Sequence, residues 1–124
     1  MENDKFRYEG QPKLYNPSQA FVVHLTGVIG KEKLLSALNA KLKFPSYFGF
    51  NWDALYDVLR DFHWVKERII VLVHDYLPVL DNDDLKIYLN ILSDSSRDWK
   101  ENEEHSFVIV FPKDRESLIK DLLR

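Results

Sequence analysis

Apolar residues in this chain follow two patterns: continuous runs, and stripes that recur every three or four positions. Three runs are rich in β-branched and aromatic residues: AFVVHLTGV at 20–28, RIIVLVHD at 68–75 and SFVIVF at 106–111. Runs of this length are typical of strands, and strands without polar alternation are typical of a parallel sheet covered on both faces. The pattern therefore predicts three buried strands.

The segments between these runs have the periodicity of amphipathic helices. In KEKLLSALNAKLKF (31–44), leucines share one stripe and lysines lie opposite. Comparable patterns predict helices over 52–62 and 82–100 and a short helix over 114–124. This alternation indicates a single small α/β domain, with a three-stranded parallel sheet, packed helices and right-handed crossovers.

The first 19 residues lack this patterning. They carry few aliphatic residues, two prolines and a balanced set of charges. We predict an N-terminal extension or edge segment over 1–19 and the folded domain over 20–124. The extension could widen a binding surface or cover a sheet edge.

Composition and charge limit the classes of function that are possible. The 124 residues suit one hydrophobic core, and 20 acidic against 17 basic residues give a net charge of −3. Because nucleic-acid binding needs a basic surface, no direct nucleic-acid partner is expected. The absence of cysteine excludes disulfides and thiolate chemistry. No signal peptide and no apolar stretch of about 18 residues is visible, so we expect a cytoplasmic protein without a membrane segment.

The stretch FPSYFGFNWDALYDVLRDF, residues 44–62, places an aromatic loop directly before a helix. Pro45 is expected to end the preceding helix, and Gly49 to give the loop freedom to turn. Asn51 is a suitable N-cap for the next helix, and Asp53 in its first turn suits the helix dipole.

Steps of 100° divide the 52–62 helix into two faces. The core face holds the apolar residues Trp52, Leu55, Val58, Leu59 and Phe62. The opposite face holds the charged residues Asp53, Asp57, Arg60 and Asp61. Tyr56 lies at the margin, and we expect its hydroxyl to face water.

The charged face has two interpretations at this point. It is a solvated surface with an amphipathic tyrosine, as on many helices. Alternatively it is a protein-binding patch, in which tyrosine gives contact area and aspartate attracts a basic partner. Tyr47 and Phe48 beside the helix start, and the excess of acids over arginine, favour the patch. These residues alone leave both interpretations open.

The same stretch resembles the signature of the barstar family, intracellular inhibitors of secreted bacterial ribonucleases. The matching residues follow one another without a gap in the pattern: Pro45, Tyr47, Phe48, Gly49, Asn51, Asp53, Ala54, Leu55, Tyr56 and Asp57. The order of elements also agrees, so the resemblance spans residues 20–111. It implies a barstar-like fold and a one-to-one complex with a basic ribonuclease.

The resemblance also implies roles for single residues. Asp57 would enter the nuclease active site and take the place of an RNA phosphate, because arginine forks recognise carboxylates as they recognise phosphates. Tyr47 would stack on the catalytic histidine of the enzyme. Gly49 and Asp53 would contact enzyme main chain and arginine, and Tyr56 stands where the best-known member has tryptophan.

Departures from the family pattern bear on the target. Arg60 introduces a positive charge where that member has a small polar residue. Phe50 stands where it has an acid, and Phe62 where it has tryptophan. The acid that this member contributes from the third helix has no direct counterpart, because the loop after this helix is longer here. Asp94 aligns with it best.

Other candidate sites are weaker. His24, His63, His74 and His105 lack the spacing of a zinc motif, so no metal or cofactor is expected. The run 81–84 begins like a calcium loop but lacks its glycine and its last ligand, and helix capping explains it better. Asp53 and Asp57 are poor candidates for a catalytic pair, because they lack the desolvation that would separate their pKa values into those of an acid and a base.

The sequence therefore predicts a ribonuclease inhibitor with no catalytic role, such as the immunity protein of a secreted toxin. The first alternative is a barstar-like module that binds another basic protein. A second alternative, from a different class, is a small metal-dependent enzyme that uses the histidines.

Overall fold

The computed structural model describes residues 5–123. The strands are β1 (Arg7–Glu9), β2 (Ala20–Leu25), β3 (Ile69–His74) and β4 (Ser106–Pro112). The helices are α1 (Lys31–Leu42), α2 (Trp52–Leu59), α3 (Asn82–Asp98) and α4 (Glu116–Leu122), with 3-10 turns at Pro12–Leu14 and Lys113–Arg115. Every strand and helix expected from the apolar patterns is present.

The strands form one parallel sheet in the order β1-β4-β3-β2. The predicted small α/β domain on a parallel sheet is thus confirmed, but the predicted number of three strands is wrong. The additional strand, β1, has only 3 residues and pairs with the edge of β4. A strand this short has no apolar run to mark it, and its pairing depends on a segment far along the chain.

Alternate residues of each strand point to opposite faces of the sheet. The helices cover the face that carries such residues as Val23, Leu72 and Ile109, which belong to the main core. The other face carries a small cluster of Val71, Val73 and Val110, with Tyr15 packed against it.

The segment that follows β1 runs across this second face. Since β1 and β2 lie at opposite edges of the sheet, residues 10–19 must pass over β4 and β3. His24 holds the segment, because its Nε2 donates to the Tyr15 carbonyl at 3.0 Å and its Nδ1 lies 2.8 Å from Asp75 Oδ1. Residues 1–4 of the predicted extension lie outside the described residues.

α2 packs its apolar face on the core as predicted, with Leu55, Val58 and Leu59 buried. The helix ends at Leu59, however, earlier than the predicted end at residue 62. Phe62 lies in the following turn with a left-handed φ of 50° and is fully buried. It therefore reaches the core from a turn and not from the helix.

One polar pair lies inside the core. His74, at the end of β3, donates from Nδ1 to the Val110 carbonyl at 3.0 Å, and the Tyr88 hydroxyl of α3 donates to its Nε2 at 2.7 Å. Burial lowers the pKa of His74 to about 4. The imidazole is therefore neutral at pH 7, with both nitrogens satisfied.

In the part of the chain between residues 5 and 123, none of the helices is long and apolar enough to cross a membrane. In the same part, no group of three or more His, Asp or Glu side chains is arranged to hold a metal ion.

Candidate binding surface on the loop and second helix

The loop before α2 is held by aromatic packing. Phe48 is only 5 % exposed, and its ring lies 4.8 Å from that of Phe44 and 4.8 Å from that of Phe50. Phe48 was predicted as a partner-binding residue, but its side chain faces the core, so it positions the loop. Phe50, which lies outside the predicted site, is 49 % exposed.

The turn in this loop differs from the predicted one. The residue with left-handed backbone is Phe50, at a φ of 54°, and not Gly49. A Cβ at Gly49 would lie 3.3 Å from Asn51 Nδ2, which is a tight contact, and 3.5 Å from Ala54 Cβ, which is an ordinary one. A side chain at residue 49 would therefore require the capping side chain of Asn51 to shift by a few tenths of an ångström.

Asn51 caps α2 as predicted. Its Oδ1 accepts a hydrogen bond from the Ala54 amide at 2.8 Å, and its backbone is extended, as is usual for an N-cap. This cap determines the direction in which the helix leaves the loop. It also places Asp53 in the first turn, where the positive end of the helix dipole stabilises a carboxylate.

Asp53 and Asp57 lie one turn apart on α2, and both are exposed as predicted. Within residues 5–123 neither carboxylate makes a hydrogen bond or an ion pair. Both therefore keep their full capacity to accept hydrogen bonds from another molecule. Together with Tyr47 and Asp61 they form what we call the acidic surface.

Tyr47 and Asp61 are joined across the loop and the end of α2. The Tyr47 ring is 65 % exposed, and its hydroxyl donates to Asp61 Oδ2 at 3.2 Å. His63 Nδ1 lies 3.0 Å from both oxygens of Asp61. Burial works to raise the pKa of Asp61, but the hydrogen bonds from His63 and Tyr47 outweigh it and hold the pKa below its ordinary value.

His63 was missing from the predicted surface. The prediction extended the helix to residue 62, and in a continuous helix the side chains of Asp61 and His63 would point to different sides. The turn at residues 60–62 brings the two side chains together.

The prediction that the Tyr56 hydroxyl faces water is wrong. The hydroxyl donates to the carboxylate of Asp98 in the last turn of α3, and the ring is half-buried. The hydrogen bond to Asp98, together with burial, raises the pKa of Tyr56. Tyr56 therefore fastens α2 to α3.

Arg60 points away from the acidic surface. Its guanidinium lies 4.4 Å from the centre of the Trp99 ring, and Nη2 lies 3.5 Å from Glu103 Oε2. A cation over an indole face is a favourable arrangement. The positive charge that departs from the family pattern is thus held against the end of α3, where Glu103 partly compensates it.

The acids of α3 make contacts that differ in kind. Asp94 forms an ion pair within its own helix, where Arg97 Nη2 lies 3.0 Å from Asp94 Oδ1. Asp98, one turn further along, makes the contact with α2 and is an acid that the sequence prediction missed. The signal for it was available, because Asp94 and Asp98 are four positions apart and share a helix face.

The domain is thus a parallel α/β fold that exposes unpaired carboxylates and a tyrosine beside its second helix. The model of the family described as Barstar (barnase inhibitor) matches residues 18–112. This match covers most of the chain, and the chain belongs to the barstar family. It is a family of inhibitors and not of enzymes. No curated protein and no solved structure matches the chain significantly.

Proposed function

We propose that this protein inhibits a basic ribonuclease by inserting its acidic surface into the active site of the enzyme. Family membership supports a ribonuclease as the partner, because the family is described by its inhibition of barnase. The fold contributes a rigid platform, and the acidic surface contributes the charge.

The unpaired carboxylate of Asp57 carries this proposal. It is exposed on a helix, and within the described residues no donor of the chain satisfies it. A ribonuclease active site holds cationic donors arranged for a phosphate, and a carboxylate with free lone pairs can accept the same hydrogen bonds. Asp57 would thereby occupy the position of an RNA phosphate.

The surroundings of Asp57 support the same role. Asp53 adds a second free carboxylate, whereas Arg60 is turned towards Trp99 and Glu103. The surface that faces a partner is therefore acidic, which attracts a basic enzyme and speeds encounter.

Tyr47 adds an aromatic contact to this surface. Its ring is exposed, yet its hydroxyl is held by Asp61. An aromatic side chain that is ordered before binding loses little conformational entropy when a partner covers it. We infer that Tyr47 packs on a ring or an aliphatic stem at the rim of the enzyme site.

The place in the cell where the protein acts follows from the proposed ribonuclease partner. A ribonuclease inside the producing cell would degrade that cell's own RNA, so the inhibitor is needed in the cytoplasm. We infer that the protein gives immunity against a ribonuclease that is secreted as a toxin.

Inhibition of a panel of basic ribonucleases by the full chain tests the proposal. We expect stoichiometric one-to-one inhibition of at least one enzyme, and a loss of affinity of about 30-fold or more in Asp57→Ala, because the arginines facing it would stay buried without a partner. Asp114→Ala removes an exposed acid from the turn after β4 and is the matched control. It should inhibit as the wild type does.

Two outcomes would contradict the proposal. Equal affinity of Asp57→Ala and wild type would reject Asp57 as the phosphate substitute. Binding of a basic protein that depends on Asp57 but leaves every nuclease active would favour the alternative, a barstar-like module with another partner.

A further inference from the structure

A cavity of about 280 Å³ opens at the amino ends of β3 and β4, outside the acidic surface. Its walls come from the end of α3, from the segment before β4, from the first residues of β4 and from residues 5 and 68. None of the residues of the acidic surface lines it. The volume is close to the lower limit for small-molecule sites, about 300 Å³.

The mouth of the cavity is positively charged. Lys5, Arg68 and Lys100 line it, with Glu101 as the one acid among its lining residues. Within the described residues Lys5 makes no hydrogen bond or ion pair. A concave site with excess positive charge concentrates anions from solution.

Arg68 is held in position by the chain itself. Nη1 donates to the Glu103 carbonyl at 2.8 Å, and Nη2 donates to the Glu101 carbonyl at 3.0 Å. These acceptors are neutral, so they orient the guanidinium without neutralising its charge. Lys100 Nζ lies 3.5 Å from the Arg97 carbonyl, to which it donates, so it too is held by a neutral acceptor. The cavity thus contains two cations oriented by backbone carbonyls and a third, Lys5, on a flexible stem.

The inner wall is formed by aromatic rings, and a buried nitrogen of one lining residue is unsatisfied. His105 is 5 % exposed, and its Nδ1 is buried without a hydrogen-bond partner in the described residues. The ring of Trp99 meets that of His105 edge to face at 5.6 Å, and Phe107 lines the same space. Buried polar atoms without partners are rare in native proteins, and each one calls for an explanation.

We propose that this cavity binds a small organic anion, in which a carboxylate or phosphate is attached to a single flat ring. The anionic head lies among Lys5, Arg68 and Lys100, and the ring lies against Trp99 and Phe107. His105 meets the polar edge of the ligand. This combination of a cationic mouth and an aromatic wall is unrelated to the nuclease-binding role and does not depend on it.

The test is a titration of the full ¹⁵N-labelled chain, followed by NMR. Benzoate and phenyl phosphate carry both a ring and a charge, benzamide lacks the charge, and inorganic phosphate lacks the ring. We expect saturable shifts at the amides of residues 96–108 with at least one ring anion, and binding of benzamide and of inorganic phosphate about tenfold weaker or worse. The ring anion that binds more tightly identifies the head group.

Variants assign the binding to this cavity. Lys100→Met removes an exposed charge, and His105→Phe keeps a ring against Trp99 while removing both nitrogens. Each should weaken the binding of the ring anion about tenfold. Lys41→Met, at an exposed lysine of α1, is the matched control and should leave the binding unchanged. If His105→Phe does not fold, Lys100→Met still decides the outcome.

The proposal is overturned if no ring anion gives saturable shifts, as would be the case if a buried water satisfied His105. It is also overturned if benzamide binds as tightly as the ring anion that binds more tightly, or if Lys41→Met weakens binding of that anion as much as Lys100→Met.

Discussion

The hydroxyl of Tyr56 on α2 donates a hydrogen bond to the carboxylate of Asp98 on the last turn of α3. Next to it, Trp99 Nε1 donates to the Leu59 carbonyl at 2.9 Å. The end of α3 thus holds the second half of α2 by two polar contacts. The exposed side of the helix, which carries Asp57, is therefore presented in one orientation before any partner arrives, and this lowers the entropic cost of binding.

Tyr56→Phe should lower the free energy of unfolding by about 1 kcal/mol, because it removes a hydrogen bond to a half-buried carboxylate. Urea unfolding would show this as a lower midpoint with an unchanged slope. Tyr47→Phe removes a hydroxyl that bonds to Asp61 at the surface, and it should change stability by less than about 0.5 kcal/mol. An unchanged midpoint in Tyr56→Phe would mean that the contact with Asp98 does not stabilise the fold.

Asn51→Ala should destabilise the protein by about 1 kcal/mol, since the Ala54 amide loses the side-chain oxygen that caps it. Asn51→Asp retains an acceptor at the same place and should stay close to wild type. Thermal unfolding of the three proteins measures the difference. A loss in Asn51→Asp as large as that in Asn51→Ala would show that the side-chain oxygen is not what matters at this position.

Stability should fall as the pH is lowered from about 6.5 to about 4, because burial lowers the pKa of His74 to about 4 in the folded protein. Between these values the unfolded chain binds a proton that the folded chain excludes, so acid favours unfolding. The full effect of this one group is about 3 kcal/mol.

His74→Gln tests this pH dependence, because glutamine can hydrogen-bond to its neighbours but does not titrate. Urea unfolding at several pH values should show a shallower decline for the variant than for wild type over this range. Carboxylates that titrate in the same range contribute to both proteins and cancel in the comparison. Parallel declines would exclude His74 as the source.

Association with a basic ribonuclease should be fast at low ionic strength. Its rate should decrease as salt is added, since exposed charges are screened over about 10 Å at 0.1 M salt. Asp53→Asn removes one free carboxylate of the acidic surface and should slow association severalfold at low salt and weaken its salt dependence. Stopped-flow fluorescence measures both. Asp114→Asn makes the same change of charge outside the acidic surface, and a similar slowing there would show that net charge alone governs the rate.

Much of the fold could be predicted because its elements are marked by local periodicity. β3 is a run of aliphatic residues that ends in His74, and α1 places four buried leucines on one stripe. β1 could not be predicted in this way. It has two charged residues out of three, and it is a strand because β4, a segment near the other end of the chain, offers it an edge.

Part of the acidic surface could also be predicted from local features of the sequence. Position relative to the start of α2 was enough to predict that Asn51 is the cap and that Asp53 and Asp57 are exposed. The directions of Tyr56 and Arg60 did not follow, because their partners Asp98 and Glu103 lie 42 and 43 positions further along the chain.

The residue pattern alone therefore established the succession of strands and helices, and the side of α2 on which its aspartates stand. Both depend on the angle between successive side chains, which is a local property of the backbone. Tertiary packing decided which carboxylates stay free, as at Asp57, and which are taken up by neighbours, as at Asp61 and Asp98. A charge is satisfied by whatever group folding brings within hydrogen-bond distance, and for Asp61 and Asp98 those groups come from distant segments or from the turn that ends the helical period of α2.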